Sequence, residues 1–143
     1  MKYRQSAVIP YQHRDGHLEV LLITNNRRTR WVLPKGLVDE GLSAAESAAK
    51  EAFEEAGLRG VVSPEALGRY EYDKWGGTCV VEVFLMAVTE SLDKWQESHR
   101  TRRWLPPELA ANLVDEPELA TIIRGARTVI ETRGAEESNP SEQ

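Results

Sequence analysis

Apolar and polar positions divide the chain into short, separable runs. Ala7–Tyr11 and Leu18–Thr24 are rich in β-branched and aliphatic residues, and His13-Arg14-Asp15-Gly16 between them carries a turn signal, so the pair predicts a β-hairpin. Asn25–Arg30 is a polar, basic loop, followed by Trp31-Val32-Leu33 and the breakers Pro34 and Gly36. From Ser43 onward the apolar period lengthens to that of a helix, with Ala45, Ala48, Ala49, Ala52, Phe53 and Ala56 on one stripe. Ser43 and Glu46 form a capping box, and Gly57 suits the position just past the helix end. So many alanines predict a helix lying close against a sheet. Ala66–Tyr72 and Thr78–Thr89 read as strands around a turn at Asp73–Gly77, the second almost wholly apolar like a central strand. Arg102–Leu105 gives a further short strand, and Pro106 and Pro107 open a short helix reaching about Leu113. A last helix is expected from about Glu118 to Arg133, burying Leu119, Ile122, Ile123, Ala126 and Ile130. Residues 1–134 would form one domain, and the polar, acidic segment 135–143, with Pro140, a disordered tail. Strands, a helix, strands, then helices predict α+β or α/β/α layering in a single domain, with no internal repeat.

Composition narrows the function classes. A chain of 143 residues is long enough for one buried core, and 41% hydrophobic with 29% charged residues is ordinary for a globular protein. A net charge of −5 argues against a nonspecific nucleic-acid binder, although local cations or a metal still permit binding of a small polyanion. No stretch approaches the ~20 apolar residues that span a bilayer, so no membrane role and a cytoplasmic location are expected. The single cysteine, Cys79, beside Val80 and Val81, reads as a buried, inert thiol. Nothing here separates a monomer from a homodimer.

The chemistry concentrates in one helix. Glu51, Glu54 and Glu55 stand at i, i+3 and i+4, so their carboxylates leave the helix on one face. Like charges stacked in this way destabilise a bare helix, and a solvated acidic face is the bland reading. The other reading is a hard divalent cation with oxygen ligands: Mg²⁺ where phosphates complete the shell, with Mn²⁺ suiting the same donors.

The surrounding residues favour the second reading. From Gly36 to Leu58 the chain resembles the signature of the Nudix hydrolases, G-x5-E-x7-R-E-U-x-E-E-x-G-U with U aliphatic. Gly36 begins it, and Glu51, Glu54, Glu55, Gly57 and Leu58 fall at the required offsets. Leu42 stands in place of the pattern's first glutamate, Lys50 in place of its arginine, and Ala52 at an aliphatic position. Lys50 keeps the charge without the bidentate fork, and Asp39 and Glu40 are the nearby acids able to replace the carboxylate lost at Leu42. The resemblance implies an α/β/α sandwich with a mixed central sheet and a hydrolase of pyrophosphate linkages. It makes Glu54 and Glu55 the main metal ligands and Glu51 a further ligand or the proton acceptor. It adds the backbone carbonyl of Lys35, and Glu97 as the acid from a late loop.

The likeness extends over roughly residues 7–114. Trp31-Val32-Leu33-Pro34-Lys35-Gly36 resembles the entry to the signature in hydrolases of dinucleoside polyphosphates and diphosphoinositol polyphosphates, and Val88-Thr89-Glu90, Leu92-Asp93-Lys94-Trp95-Gln96-Glu97-Ser98 and Arg102-Arg103-Trp104 resemble the diphosphoinositol polyphosphate hydrolases in particular. Arg27, Arg28, Arg30 and Lys35, with Gly36 and Lys74, are candidates to hold substrate phosphates, or else the arginines form a solvated basic loop. Arg69 is expected to face the same region as Lys74. Tyr70, Tyr72 and Trp75 read as a base-stacking surface or as cross-strand packing. Three functions compete: a hydrolase of polyphosphorylated metabolites, a Nudix enzyme on nucleoside triphosphates or ADP-ribose, and a non-catalytic binding domain on the same fold. The intact glutamate triad favours the first two, and the basic residues near Lys35 favour the first.

Overall fold

In chain order the elements are β1 (Lys2–Arg14), β2 (His17–Thr24), β3 (Trp31–Val32), β4 (Lys35–Leu37), α1 (Ala44–Ala56), β5 (Leu58–Val62), β6 (Gly68–Lys74), β7 (Gly77–Ser91), β8 (Arg102–Leu105), α2 (Pro107–Leu113) and α3 (Pro117–Ser138). They come from a computed structural model that describes residues 1–138. The eight strands make one mixed sheet with helices on both faces, the expected α/β/α arrangement.

The first hairpin closes on Asp15 and Gly16, at φ 52° and 79°. Both central residues at positive φ make the turn type whose twist matches that of paired strands. β1 then changes partner along one edge. Its first half lies antiparallel to β4, Ala7 opposite Lys35, and its second half antiparallel to β2, Tyr11 opposite Val20. Its other edge runs parallel to β7, from Lys2–Thr78 to Tyr11–Ala87. β7 in turn carries β6 and then β5 on its far edge. Alternation along β7 sends Val81, Val83 and Leu85 to one side of the sheet and Phe84 and Met86 to the other. The first set packs beneath α2 and α3 with Leu119, Ile123, Ala126 and Ile130, and the second beneath α1.

α1 begins at the capping box, with Ser43 accepting from the Glu46 N–H and Glu46 from the Ser43 N–H. Ala48, Ala52 and Ala56 are fully buried, which brings the helix axis close to the sheet. Phe53 departs from the expected stripe: it is partly exposed, with the Arg59 guanidinium 4.9 Å from its ring centroid. The C-terminal carbonyls of α1 would otherwise lack partners. Phe53 O accepts from Gly57, which takes the left-handed conformation at φ 67°. Glu54 O accepts from the Glu97 N–H, Glu55 O from the Trp95 indole and Ala56 O from Arg102. The loop 92–101 thus completes the helix, and a positive charge at this end complements the helix dipole.

Three expectations need correction. β5 was not foreseen, because only Leu58 of its five residues is buried and Arg59 and Val61 point to solvent at the sheet edge. Arg69 and Lys74 do not share a region. Five positions apart on β6, they fall on opposite faces, and Arg69 pairs weakly with Glu71 at 4.0 Å. α3 continues to Ser138, so residues 135–138 are helical rather than disordered. The remainder of that expected tail, 139–143, lies outside the described residues.

Candidate active site

α1 presents Glu51, Glu54 and Glu55 toward the strand β4, where the chain is pressed against β1. The Lys35 N–H donates to Glu55 Oε1 at 3.1 Å, which ties the backbone preceding Gly36 to the carboxylate. Gly36 leaves room for Glu51: a Cβ there would overlap the carboxylate where it now stands, with Oε2 at 2.9 Å and the other carboxyl atoms nearer still. Glu51 therefore lies directly over the Gly36 backbone. Burial pushes the Glu55 carboxyl up to about 7. Arg100 and the Lys35 N–H oppose that shift, while Glu51 and Glu97 add to it. Burial also raises Glu51, helped by Glu54.

Two cations organise the acids. Arg100 is only 7% exposed; its Nη2 reaches Glu97 Oε1 at 2.8 Å and Glu55 Oε2 at 3.6 Å, and its Nη1 donates to Thr24 O at 3.0 Å. Lys50 Nζ lies 2.6 Å from Asp39 Oδ2 and 3.8 Å from Glu54 Oε1. The lysine at the position of the signature's arginine thus holds Asp39 beside the glutamate face, while Leu42 is a partly exposed apolar side chain and Glu40 is exposed.

Next to the carboxylates opens a cleft of about 280 Å³ lined by Gln5, Arg30, Lys35, Gly36, Glu55, Lys74, Trp75 and Arg100, among others. Four of the candidate substrate residues, Arg30, Lys35, Gly36 and Lys74, come together here. Arg27 and Arg28 do not line it; both are exposed in the loop 25–30, where the Arg28 N–H bonds to Asn25 O. Glu97 sits against α1 through its own N–H, with its carboxylate on Arg100. Lys35 is desolvated by burial, which lowers its pKa, and Glu116 is the charge that most opposes this. Tyr70 is buried, its ring stacked with Tyr72 at 6.2 Å, and the Tyr72 hydroxyl donates to buried Gln5 at 2.6 Å. The two tyrosines are packing residues, and Trp75 remains exposed on the cleft rim. Sequence reading missed Arg100 and Gln5; each acquires its place from partners far along the chain, and no local spacing announces it.

The donor set fits a hard divalent cation, being made of carboxylate oxygens. Among the described residues, no three acidic or His/Cys side chains already converge on one point. The reason is visible in the ion pairs: Lys50 draws Glu54 and Arg100 draws Glu97. Binding an ion would compete with those two ion pairs. The residues able to hold it are Glu51, Glu54, Glu55 and Glu97, with a carbonyl near Lys35. No helix among the described residues is long and apolar enough to cross a membrane.

Comparison with known proteins shows the family to which the chain belongs. The NUDIX domain family matches residues 2–125. The chain is 36% identical over 105 residues to Nudix hydrolase 12, mitochondrial, of Arabidopsis thaliana, covering 67% of this chain and 52% of that protein. It is 34% identical over 131 residues to Nudix hydrolase 16, mitochondrial, of the same plant, covering 78% and 72%. It is 32% identical over 100 residues to diphosphoinositol polyphosphate phosphohydrolase 3-beta of Bos taurus, covering 67% and 60%. The chain spans about half the length of the first of these relatives. A crystal structure of a C. elegans Ap4A hydrolase binary complex superposes with a TM-score of 0.80 at 21% identity, covering 91% of this chain and 98% of that one, a likeness of fold.

Proposed function

Because the chain belongs to the Nudix family, we propose that it is a Mg²⁺-dependent hydrolase of pyrophosphate linkages in polyphosphorylated metabolites, either dinucleoside polyphosphates or diphosphoinositol polyphosphates. The observation that carries this reading is the stacking of Glu51 and Glu55 against the Lys35–Gly36 backbone at the mouth of a cleft lined by Arg30, Lys35 and Lys74. When bound, Mg²⁺ would neutralise phosphate oxygens and acidify the attacking water, with Mn²⁺ able to replace it.

The chain's own groups supply the rest. Arg30, Lys35 and Lys74 orient the phosphate chain, the arginine by paired hydrogen bonds. Glu51, fixed over Gly36 and raised chiefly by burial, takes the proton as the water oxygen bonds to phosphorus and the bridging P–O bond breaks. Glu54, Glu55 and Glu97 would hold the cation, and Arg100 pairs with both Glu55 and Glu97. A cytoplasmic location is part of the same proposal, and imaging of a tagged full-length protein checks it.

The test is a hydrolysis panel with Mg²⁺: diadenosine tetraphosphate, a diphosphoinositol polyphosphate, ADP-ribose and nucleoside triphosphates, each with a chelator control. Chelator-sensitive cleavage of either of the first two is expected. Silence on those two beside cleavage of the smaller nucleotides would replace the proposed substrate class, and silence throughout would remove the enzyme reading.

A further inference from the structure

Tyr70 is only 3% exposed and its ring packs on Tyr72, yet its hydroxyl has no hydrogen-bond partner among the described residues. A hydroxyl on so buried a residue ordinarily finds a partner, as that of Tyr72 does in Gln5. Among the described residues, no side-chain oxygen is both sealed from solvent and unpaired, so the Tyr70 oxygen opens on free space. That space is a pocket of about 240 Å³ walled by Tyr70, Glu71, Asp115, Glu116, Pro117 and Glu118. It lies where β6 meets the connection between α2 and α3, and it shares no lining residue with the cleft beside the glutamate helix. Burial pushes the phenol up, so the group facing the pocket is a neutral hydroxyl.

The rest of the wall is acidic. Asp115 is already taken up by Arg30, its Oδ2 3.1 Å from Nη1. Glu116 and Glu118 form no ion pair among the described residues. Glu118 stands in the first turn of α3, where it complements the helix dipole. The dipole accounts for an acid at that position, but not for an unpaired hydroxyl turned to the same space from β6. Carboxylates gathered beside a hydroxyl able to accept a hydrogen bond call for a cationic donor.

The shape of the pocket says which kind. Among the described residues, no three acidic side chains converge on one point, so a compact divalent ion would lack its shell of oxygen ligands here. Tyr70 and Pro117 supply an apolar wall, and the free acids are separate neighbours along the chain. A hydrocarbon stem with spaced charges matches both features. We propose that this pocket binds an aliphatic amine carrying two or more ammonium groups, its stem against Tyr70 and Pro117 and its charges on the Tyr70 hydroxyl oxygen and the carboxylates of Glu116 and Glu118. The site is independent of the hydrolase reading above.

The test is calorimetry of the full chain with putrescine as the probe, in excess MgCl2 so that the glutamate face is supplied with its own cation. Parent, Tyr70→Phe, the double variant Glu116→Gln/Glu118→Gln, and Glu54→Gln as a control at the other acidic cluster are compared. The parent is expected to bind one equivalent with a Kd below about 1 mM. Tyr70→Phe removes only the unpaired oxygen, so its urea midpoint should match the parent's while binding weakens about threefold to tenfold. The double variant should weaken binding by about tenfold or more, and Glu54→Gln should leave it unchanged. Butylamine, with the same stem and one charge, should bind about tenfold more weakly than putrescine. A parent that binds no putrescine, binding that survives both pocket variants, or binding that Glu54→Gln removes overturns the proposal. So does displacement of putrescine by further MgCl2, which would make the ligand a metal ion, and so does a urea midpoint lowered in Tyr70→Phe, which would assign the hydroxyl to the fold.

Discussion

Gly36→Ala separates the fold from the chemistry more cleanly than removal of any glutamate. The new methyl would overlap the Glu51 carboxylate, with Oε2 at 2.9 Å and Oε1 and Cδ closer. The obstructing atoms are the far end of a flexible side chain, so the backbone need not shift. Gly36 lacks a left-handed φ, so alanine also narrows the unfolded ensemble, a gain of about 0.4–1 kcal/mol. Net stability should change by no more than about 1 kcal/mol. Glu51, however, must retreat by about 1 Å to restore ordinary contact, and a displacement of that size costs on the order of 100-fold in rate when the group must meet a reacting atom. Urea unfolding and Mg²⁺-dependent turnover measured on one preparation give both quantities. Because the methyl and Glu51→Gln act on the same group, their combination should lose little more than either alone. A Gly36→Ala protein with kcat within about threefold of the parent would refute the assignment of Glu51 to the reaction.

Three further outcomes follow from the same geometry. Glu54→Gln should lose on the order of 100-fold in turnover with little change in unfolding midpoint, since this carboxylate is partly exposed and bonded mainly to Lys50; near-parental rates would remove Glu54 from the metal site. In chelator, the raised Glu55 carboxyl makes the folded state bind a proton that the unfolded state has released, so stability falls as pH rises from about 4.5 to about 7. Glu55→Gln should remove this loss, giving a gain of up to about 3 kcal/mol at pH 8 that vanishes at pH 4, and an equal difference at both pH values would contradict it. Arg100→Met leaves Glu55, Glu97 and Thr24 O without their shared donor and should cost about 3–5 kcal/mol in urea unfolding; a loss below about 1 kcal/mol would mean the cluster is solvated.

Much of this site was legible in the sequence because its key residues are local. Ser43, Glu46 and Gly57 fix the ends of α1, and once the helix is fixed, the spacing of Glu51, Glu54 and Glu55 fixes their common face. Strand β8 and helix α2 were equally plain from Arg102–Leu105 and the paired prolines. What stayed hidden depends on contact across the fold. Arg30 meets Asp115 over a separation of 85 residues, and Arg100 meets Thr24 over 76. Arg100 looks like its neighbours Arg102 and Arg103 until the fold buries it. β5 escaped notice for a different reason: an edge strand with one buried residue carries almost no hydrophobic period.

The loop 92–101 finishes α1 by taking up the carbonyls of Glu54 and Glu55, Arg102 takes up that of Ala56, and the Leu92 N–H bonds back to Gly57 O. Helix end and loop therefore open as one cooperative unit, and amide exchange at Gly57, Leu92 and Glu97 should follow a single rate. A protease that nicked this surface loop would fray the turn that carries Glu54 and Glu55 without touching either side chain. The activity would then have a control handle some forty residues downstream of the glutamates it governs.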